Sequence, residues 1–405
     1  MNADPPRLVV FSTLFPHPGQ PQAGVFIRER MFRVARHLPL TVVAPVPWFP
    51  LQGLIRRWRP YFRPPAPRRE IQDGIEVYHP RFLSFPGVLK CLDGALLALG
   101  ALPTLWRLRR AQGFDIIDAH FAYPDGYAAT LLGRWLHRPV SITLRGTETR
   151  SARSPCLRRR MRRAFKSAAR LFAVSEALRQ QALVLGVAAD RISTVGNAVD
   201  SDKFRPIDRQ EARAALGLEP DAKVLISVGG LVERKGFHRV IEVMTPLLRD
   251  EPRLHYLIVG GAGAEGDWSG RLHQLVAALG LQERVHFLGA VAHAQLHRVL
   301  SAADVFVLAT SNEGWANVFL EAMACGLPVV TTRVGGNAEV VVEPATGLLV
   351  PFGDAAALAA ALRAALARDW DRAAIINYAR ANDWEQRVTV LCAAFAAMQS
   401  REGWP

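Results

Sequence analysis

Residues 303–332 read ADVFVLATSNEGWANVFLEAMACGLPVVTT. The run from Asp304 to Ser311 is short, rich in valine, phenylalanine and leucine, and lacks strict polar alternation, as a strand buried on both faces requires. Ser311-Asn312-Glu313-Gly314 has the composition of a turn. From about Ala316 the segment reads as a helix with a well-signalled end: Gly326 suits the position just past the last helical residue, and Pro328 forbids continuation. Pro328 to Arg333 is a second buried strand. Strand, helix and strand in this order make a unit whose two strands run parallel.

The same pattern recurs outward in both directions. The first half shows strand-like runs at RLVVFS, LTVVAPV, IEVYHP, FDIIDAH, PVSITLR, RLFAVS and RISTVG, and the second at KVLISVGG, LHYLIVGG, RVHFLGA, DVFVLATS, PVVTTR and GLLVPF. Segments such as GFHRVIEVMTPLLRD between them have helical spacing. The expected fold is α/β, with two doubly wound Rossmann-like domains, as the length of 405 residues also favours. The boundary falls in the polar stretch from Asn197 to Lys223. Residues 1–200 form the first domain, 201–383 the second, and 384–405 a helix that packs back toward the first. In open parallel sheets ligands bind at the carboxyl ends of the strands, and two such sheets facing a central cleft make a site.

Fifty basic against 36 acidic residues leave a net charge of +14. Such a surplus points to a polyanionic partner: nucleic acid, an acidic membrane surface or phosphorylated ligands. Two tracts concentrate it, RRWRPYFRPPAPRR (56–69) and RSARSPCLRRRMRRAFKSAAR (150–170). In the second, Leu157, Met161, Ala164, Phe165 and Ala168 share one helical face, which suits an anionic lipid surface. Nucleic acid and a solvated helix packed on its domain are the rival readings. The four cysteines, Cys91, Cys156, Cys325 and Cys392, form no C-x-x-C pair and no zinc spacing, so a reduced cytosolic compartment is expected. Leu8 to Phe15 reads as a first strand rather than a signal peptide. The charge-free run from Gly94 to Trp106 is shorter than the ~20 residues that span a bilayer. It reads as a buried helix, with a membrane-dipping one as the alternative.

Several short motifs sit at strand ends. Glu313 and Glu321 are eight positions apart. With the helix starting near Ala316, Glu313 lies in the loop before it and Glu321 about two turns inside. The backbone N–H groups of Ala316, Asn317 and Val318 lie between the acids, ready for an anion. The plain alternative is a capping acid and a helix-face acid. VGGLVERKGFHRVIE places Gly229-Gly230, then Arg234, Lys235 and Gly236, between a strand and a helix; cations beside a glycine turn suit a phosphate, or the loop is simply solvated. STLFPHPGQPQAGVFIRER is a shaped loop leading into a helix near Gly24. FDIIDAHFAYPDG ends a strand at His120, which faces the expected cleft or is structural. Gly261-x-Gly263-x-x-Gly266 has the dinucleotide form, but the next strand ends in Gly289-Ala290 without the acid a ribose needs, so a tight or phosphate-side turn is expected. Asp200-x-Asp202 has the form that holds a metal on a nucleotide diphosphate, but it sits in the linker, where solvated acids are the rule.

Together these stretches resemble the family 4 glycosyltransferases, the glycosyl transferases group 1, which are retaining enzymes of the GT-B fold. VGGLVERKG, VHFLG, residues 303–332, VGGNAEVV and GLLVPFGD carry the resemblance in the second half. The glycine loop, DAHFAYPDG, TLRGTE, AVSEAL and VGNAVDSDKF carry it in the first. It covers nearly the whole chain in order, and Glu-x7-Glu followed by Gly-x-Pro-Val-Val is its most specific part. The resemblance implies that Glu313 contacts the donor sugar, that His120 lies near that sugar, and that Asn317 and Val318 hold the donor phosphates. It further implies Lys235 on the diphosphate, Glu321 on the ribose, and Gly24 in the loop that nears phosphates and acceptor. No metal and no cofactor are implied, only a nucleotide-diphosphate sugar as substrate, UDP-sugar before GDP-sugar. The implied acceptor is a glycan or lipid-linked glycan of cell-surface polysaccharide synthesis. The implied place is the cytoplasm, including the inner face of the plasma membrane, with no nucleic-acid partner.

The sequence departs from the family at three points. Gly230 stands where an arginine is usual, leaving Arg234 to substitute. RGTE, with Arg145 and Glu148, replaces HGxD on the acceptor side. Ala316 replaces a glycine. A non-catalytic binding protein of this fold, or a sugar-nucleotide epimerase, is the alternative, against which Glu313, Glu321 and Lys235 are all present.

Overall fold

Residues 4–58, 62–263 and 266–399 are described by a computed structural model of the chain. Arg59, Pro60 and Tyr61 of the first basic tract, Ala264 and Glu265 of the glycine fingerprint, and the last six residues of the C-terminal segment lie outside them. The chain divides into two units. One is Ala198–Trp384; the other comprises the residues up to Asn197 together with those from Glu385 onward.

The first unit holds β1 (Leu8–Phe11), β2 (Leu40–Val43), β3 (Val46–Trp48), β4 (Arg69–Gln72), β5 (Ile75–Tyr78), β6 (Arg81–Leu83), β7 (Ile116–His120), β8 (Val140–Leu144), β9 (Arg170–Ala173) and β10 (Ile192–Thr194). Eight of them form one sheet in the order β10-β9-β8-β7-β1-β2-β5-β4, and β3 pairs with β6 apart from it. Central strands β1, β7 and β8 are buried along their whole length, which is why their sequences do not alternate. The C-terminal helix Trp384–Gln399 belongs to this unit's core: Val388, Leu391, Phe395 and Met398 pack with the sheet residues Leu8, Val10 and Phe172. Each such side chain contributes roughly 1.5–3 kcal/mol over leaving it in water.

The second unit holds β11 (Lys223–Val228), β12 (Leu254–Val259), β13 (Val285–Gly289), β14 (Val305–Leu308), β15 (Val329–Thr332) and β16 (Gly347–Val350). All pair in parallel, in the order β13-β12-β11-β14-β15-β16. Helices including Phe237–Asp250, Asn317–Ala324 and Ala355–Ala367 pack their apolar faces on this sheet.

Three expectations need correction. First, the first sheet is not purely parallel: β4 runs antiparallel to β5 through Asp73-Gly74, both at positive φ. This is the two-residue hairpin that Asp-Gly favours, a local signal in the sequence. Second, the apolar run counted to Trp106 stops there because Arg107 follows, but the helix does not. It continues to Ala111, and Lys90–Ala111 is long and apolar enough to cross a membrane by length and composition, with 44% of its most apolar window buried in the protein. Third, the cysteines are not all thiols. Cys91 and Cys156, 65 residues apart, form a disulfide, while Cys325 and Cys392 are free.

Candidate functional site

Each unit gathers its candidate residues where its strand order reverses, at the carboxyl ends of the strands. In the second unit that point lies between β11 and β14, the place where open α/β sheets leave a crevice. β11 leads into the loop of Arg234 and Lys235, and β14 leads into the loop of Glu313. The two loops are tied together: Ser311 N–H donates to the Arg234 carbonyl at 2.9 Å, and the Arg234 guanidinium donates to the Asn312 carbonyl at 2.8 Å.

Glu313 is the centre of this cluster. Its Oε1 accepts from Lys235 Nζ at 2.7 Å, from Arg234 Nη1 at 3.0 Å and from Thr310 Oγ1 at 3.2 Å. Its other oxygen has no protein donor among the described residues. Burial pushes this carboxyl up, but the Lys235 and Arg234 charges and the bonds from Lys235 and Thr310 outweigh it and hold it below the usual carboxylate range. The cations expected on a donor diphosphate are therefore paired with the acid expected on the donor sugar.

Asn317 and Val318 open the helix Asn317–Ala324, whose N-cap, Ala316, supplies no side-chain cap. Glu321 lies on this helix and pairs with His293 Nε2 at 3.1 Å; the His293 ring in turn packs edge-on against Phe204. Thr310 and His293 carried no recognisable signal in the sequence, His293 being 28 residues from its partner.

Gly230 lies against the other glycine loop. Leu231 N–H donates to the Gly261 carbonyl at 2.8 Å, and a Cβ on Gly260 would sit 1.8 Å from the Gly229 carbonyl oxygen. Close backbone approach thus accounts for glycine here. Asp200 accepts from the N–H groups of Asp202 and Lys203, a local turn of the linker. Among the described residues no group of three or more His, Cys, Asp or Glu is placed to hold a metal ion.

In the first unit the order reverses between β1 and β7. β1 leads into the glycine loop, which ends at Gly24 with φ 69°, where a Cβ would lie 2.3 Å from the Leu14 carbonyl oxygen. β7 ends at His120, followed by Phe121 at φ 74°, a conformation uncommon outside glycine and anchored by the bond from Phe121 N–H to the Thr143 carbonyl. Asp125 joins the two loops by accepting from Thr13 N–H at 2.9 Å and Thr13 Oγ1 at 3.0 Å. Burial pushes Asp125 up to about 7 against those bonds.

His120 is wholly buried. Its Nδ1 accepts from Arg145 Nε at 3.2 Å and Nη2 at 3.1 Å, so its proton sits on Nε2. That nitrogen lies 3.4 Å from Asp118 Oδ2 without making a hydrogen bond. Burial first, then the charges of Arg145 and Arg30, hold the imidazole well below its ordinary pKa. Asp118 is pushed up to about 6 by burial, against a bond from Ser141 and the charges of Arg30 and Arg145. Arg145 also donates to Asn197 and lies over the Phe26 ring at 5.0 Å. Glu148, expected on the acceptor side, gives its oxygens to the N–H groups of Ala122, Arg145 and Gly146. The structure thus brings Gly24, His120, Arg145 and Glu148 into one unit and the donor candidates into the other.

Comparison with known proteins gives a consistent picture. The family described as Glycosyl transferases group 1 matches residues 208–382, and Glycosyltransferase Family 4 matches residues 51–203. D-inositol 3-phosphate glycosyltransferase of Actinosynnema mirum is 32% identical over 355 residues, covering 81% of this chain and 84% of its own. TuaC of Bacillus subtilis, provisionally described as a teichuronic acid biosynthesis glycosyltransferase, is 29% identical over 336 residues, 82% of each chain. Among solved structures, Anabaena HepE in complex with UDP-glucose superposes with a TM-score of 0.70 at 22% identity, over 97% of this chain and 99% of that one. At that identity the likeness speaks for the fold, the GT-B fold expected above.

Proposed function

The chain belongs to the glycosyl transferases group 1, with a family 4 amino-terminal half, and from that premise we propose that it is a retaining glycosyltransferase using a nucleotide-diphosphate sugar, UDP-sugar before GDP-sugar. Its acceptor is a glycan or lipid-linked glycan of cell-surface polysaccharide synthesis. The observation that carries this reading is the pairing of Glu313 with Lys235 and Arg234 beside the first turn of the helix Asn317–Ala324. HepE bound to UDP-glucose and the teichuronic acid description of TuaC support the donor class and the biosynthetic role.

As the bond to the sugar breaks, charge grows on the leaving diphosphate. Lys235, Arg234 and the N–H groups at Asn317 and Val318 stabilise that charge without rearranging, which is electrostatic catalysis. The free oxygen of Glu313 takes hydroxyls of the sugar, and Glu321, held by His293, takes the ribose. The acceptor attacks on the face the leaving group departs from, which retains configuration. In the first unit Glu148, accepting from the N–H groups of Ala122, Arg145 and Gly146, positions the backbone around the acceptor, and Arg145 holds His120.

The experiment is incubation with a panel of nucleotide sugars and acceptors while nucleoside diphosphate release is followed. Release with one sugar, lost in Glu313→Ala, is expected; undiminished release in that variant overturns the assignment. The basic tracts bring the enzyme to the inner face of the plasma membrane. Equal weak binding to anionic and neutral liposomes would refute that part.

A further inference from the structure

A cavity of about 540 Å³ in the first unit takes in Arg68 and Arg69, the last two residues of the first basic tract. Arg68, Arg69, Arg81 and Arg107 line it, with Tyr78 and His79 between them. It opens at the end of the sheet where β5 finishes and its antiparallel partner β4 begins, Arg69 being paired with Tyr78. Because β5 runs parallel to β2, this is the carboxyl edge, the same edge that carries the glycine loop. The two are in contact: the His79 ring meets the His17 ring edge-on at 5.6 Å.

The charges in this cavity do not cancel. Glu76 bonds Arg69 and Tyr78, and Glu70 bonds His79 and Gln72. Among the described residues Arg68, Arg81 and Arg107 have no carboxylate partner. Arg68, Arg81 and Arg107 are exposed to water around one open cavity, and a multiply charged oxyanion answers both their charge and their forked donor geometry. A single carboxylate answers only part of it.

The helix Asp93–Ala111 says what the anion is attached to. Its Pro103, Thr104 and Arg107 line the cavity, and its Leu97, Ala101, Leu105 and Leu108 face the core. On its remaining face Leu92, just ahead of the helix, Leu99 and Trp106 stand at spacings of seven, all exposed. The Arg110 guanidinium lies over the Trp106 ring at 3.6 Å. An apolar stripe with a tryptophan beside an arginine-lined cavity matches an amphiphile with a phosphate head.

We propose that this cavity binds the phosphate or diphosphate head of a lipid, with the Leu92–Leu99–Trp106 stripe against its apolar chain. The proposal rests on the reading above that the acceptor is lipid-linked, and names its recognition site.

The full chain is sedimented with phosphatidylcholine vesicles carrying either phosphatidic acid or phosphatidylserine at matched surface charge. Wild type is expected to favour phosphatidic acid roughly tenfold, about one well-formed ionic contact. R68Q/R81Q erases that preference, whereas R158Q/R159Q on the helix Pro155–Ser167 weakens both bindings alike. L99S/W106S weakens vesicle binding but leaves binding of inorganic pyrophosphate, measured by calorimetry, unchanged. Should R68Q/R81Q fail to fold, judged by its unfolding midpoint, Arg107→Gln takes its place. Equal binding of both vesicles by wild type, or a preference that survives in the arginine variants, overturns the proposal. Pyrophosphate binding without any vesicle preference overturns the lipid and leaves a soluble phosphate. Nucleoside diphosphate release is measured on the same preparations. Lipid preference without release overturns only the transferase reading, and release without preference overturns only this one.

Discussion

Glu313→Gln removes one charge and keeps the shape of the side chain. The oxygen that accepts from Lys235, Arg234 and Thr310 at 2.7, 3.0 and 3.2 Å remains an acceptor in glutamine. Hydrogen bonds with an ionised partner contribute roughly 1.5–3 kcal/mol, against about 1 kcal/mol for neutral ones. Lys235 and Arg234 remain cations, so part of the difference is kept. Their side chains are 16% and 29% exposed, and water reaching them holds the loss below the ~3–5 kcal/mol of breaking a fully buried pair. The net expectation is about 2 kcal/mol, or ~4–8 °C in Tm for a unit of this size. Because the folded carboxyl titrates below its ordinary 4.5, its contribution is present above that pH and is lost as pH falls through the folded value. The difference between wild type and variant must therefore shrink in acid.

The same change acts oppositely on nucleoside diphosphate. In the ligand-free enzyme the carboxylate neutralises part of the charge a diphosphate needs. At an effective dielectric of ~20 a like charge about 6 Å away costs on the order of 3 kcal/mol, before screening. UDP should bind the variant roughly three- to thirtyfold more tightly, while sugar transfer falls ~100-fold or more for want of a charged contact to the sugar. Thermal unfolding with and without UDP, together with diphosphate release, reads all three effects. UDP affinity that falls in step with activity refutes the idea that Glu313 and the diphosphate share two cations.

Three further outcomes follow from the same geometry. With its folded pKa raised to about 7, Asp125 contributes stability that is fully present below its unfolded value and lost as pH rises through about 7. Wild type should thus lose stability relative to Asp125→Asn from about pH 4 to 7, by at most ~4 kcal/mol, and a flat difference in denaturant midpoints contradicts the burial argument. Gly24→Ala puts a Cβ 2.3 Å from the Leu14 carbonyl at a left-handed φ; a loss of ~1–3 kcal/mol is expected in urea unfolding, and an unchanged midpoint counts against the loop geometry. His293→Ala frees Glu321 from its 3.1 Å partner. UDP dissociation should rise roughly three- to tenfold in calorimetry, and no change would separate Glu321 from the ribose.

Legibility differed along the chain for physical reasons. The end of the helix Asn317–Ala324 is legible because Gly326 and Pro328 act on the backbone within a few residues of themselves. Buried strands such as β7 and β14 announced themselves by composition, since a strand covered on both faces has no use for alternation. The β4–β5 hairpin is equally local, through Asp73-Gly74, but stands among strands whose composition signals parallel pairing. At the candidate site Glu313, Lys235, Glu321 and the helix start were readable as residue types at strand ends. Their arrangement was not: the resemblance put the cations on a diphosphate and said nothing of their pairing with Glu313.

What the amino-acid order determined by itself was therefore the alternation of strands and helices, their ends, and which loops carry charge at strand ends. Glycine, proline and apolar periodicity act over a few residues and need no partner. What only the tertiary structure decided was which loops meet. Lys235 and Glu313 are 78 residues apart, and they touch because β11 and β14 are neighbours where the strand order reverses. The same holds for Thr13 with Asp125, across β1 and β7, and for the arginines of the cavity beside β5. Ion pairs and cavities of this kind depend on the order of strands in a sheet, which is settled by the packing of the whole unit and leaves no mark in any short stretch of chain.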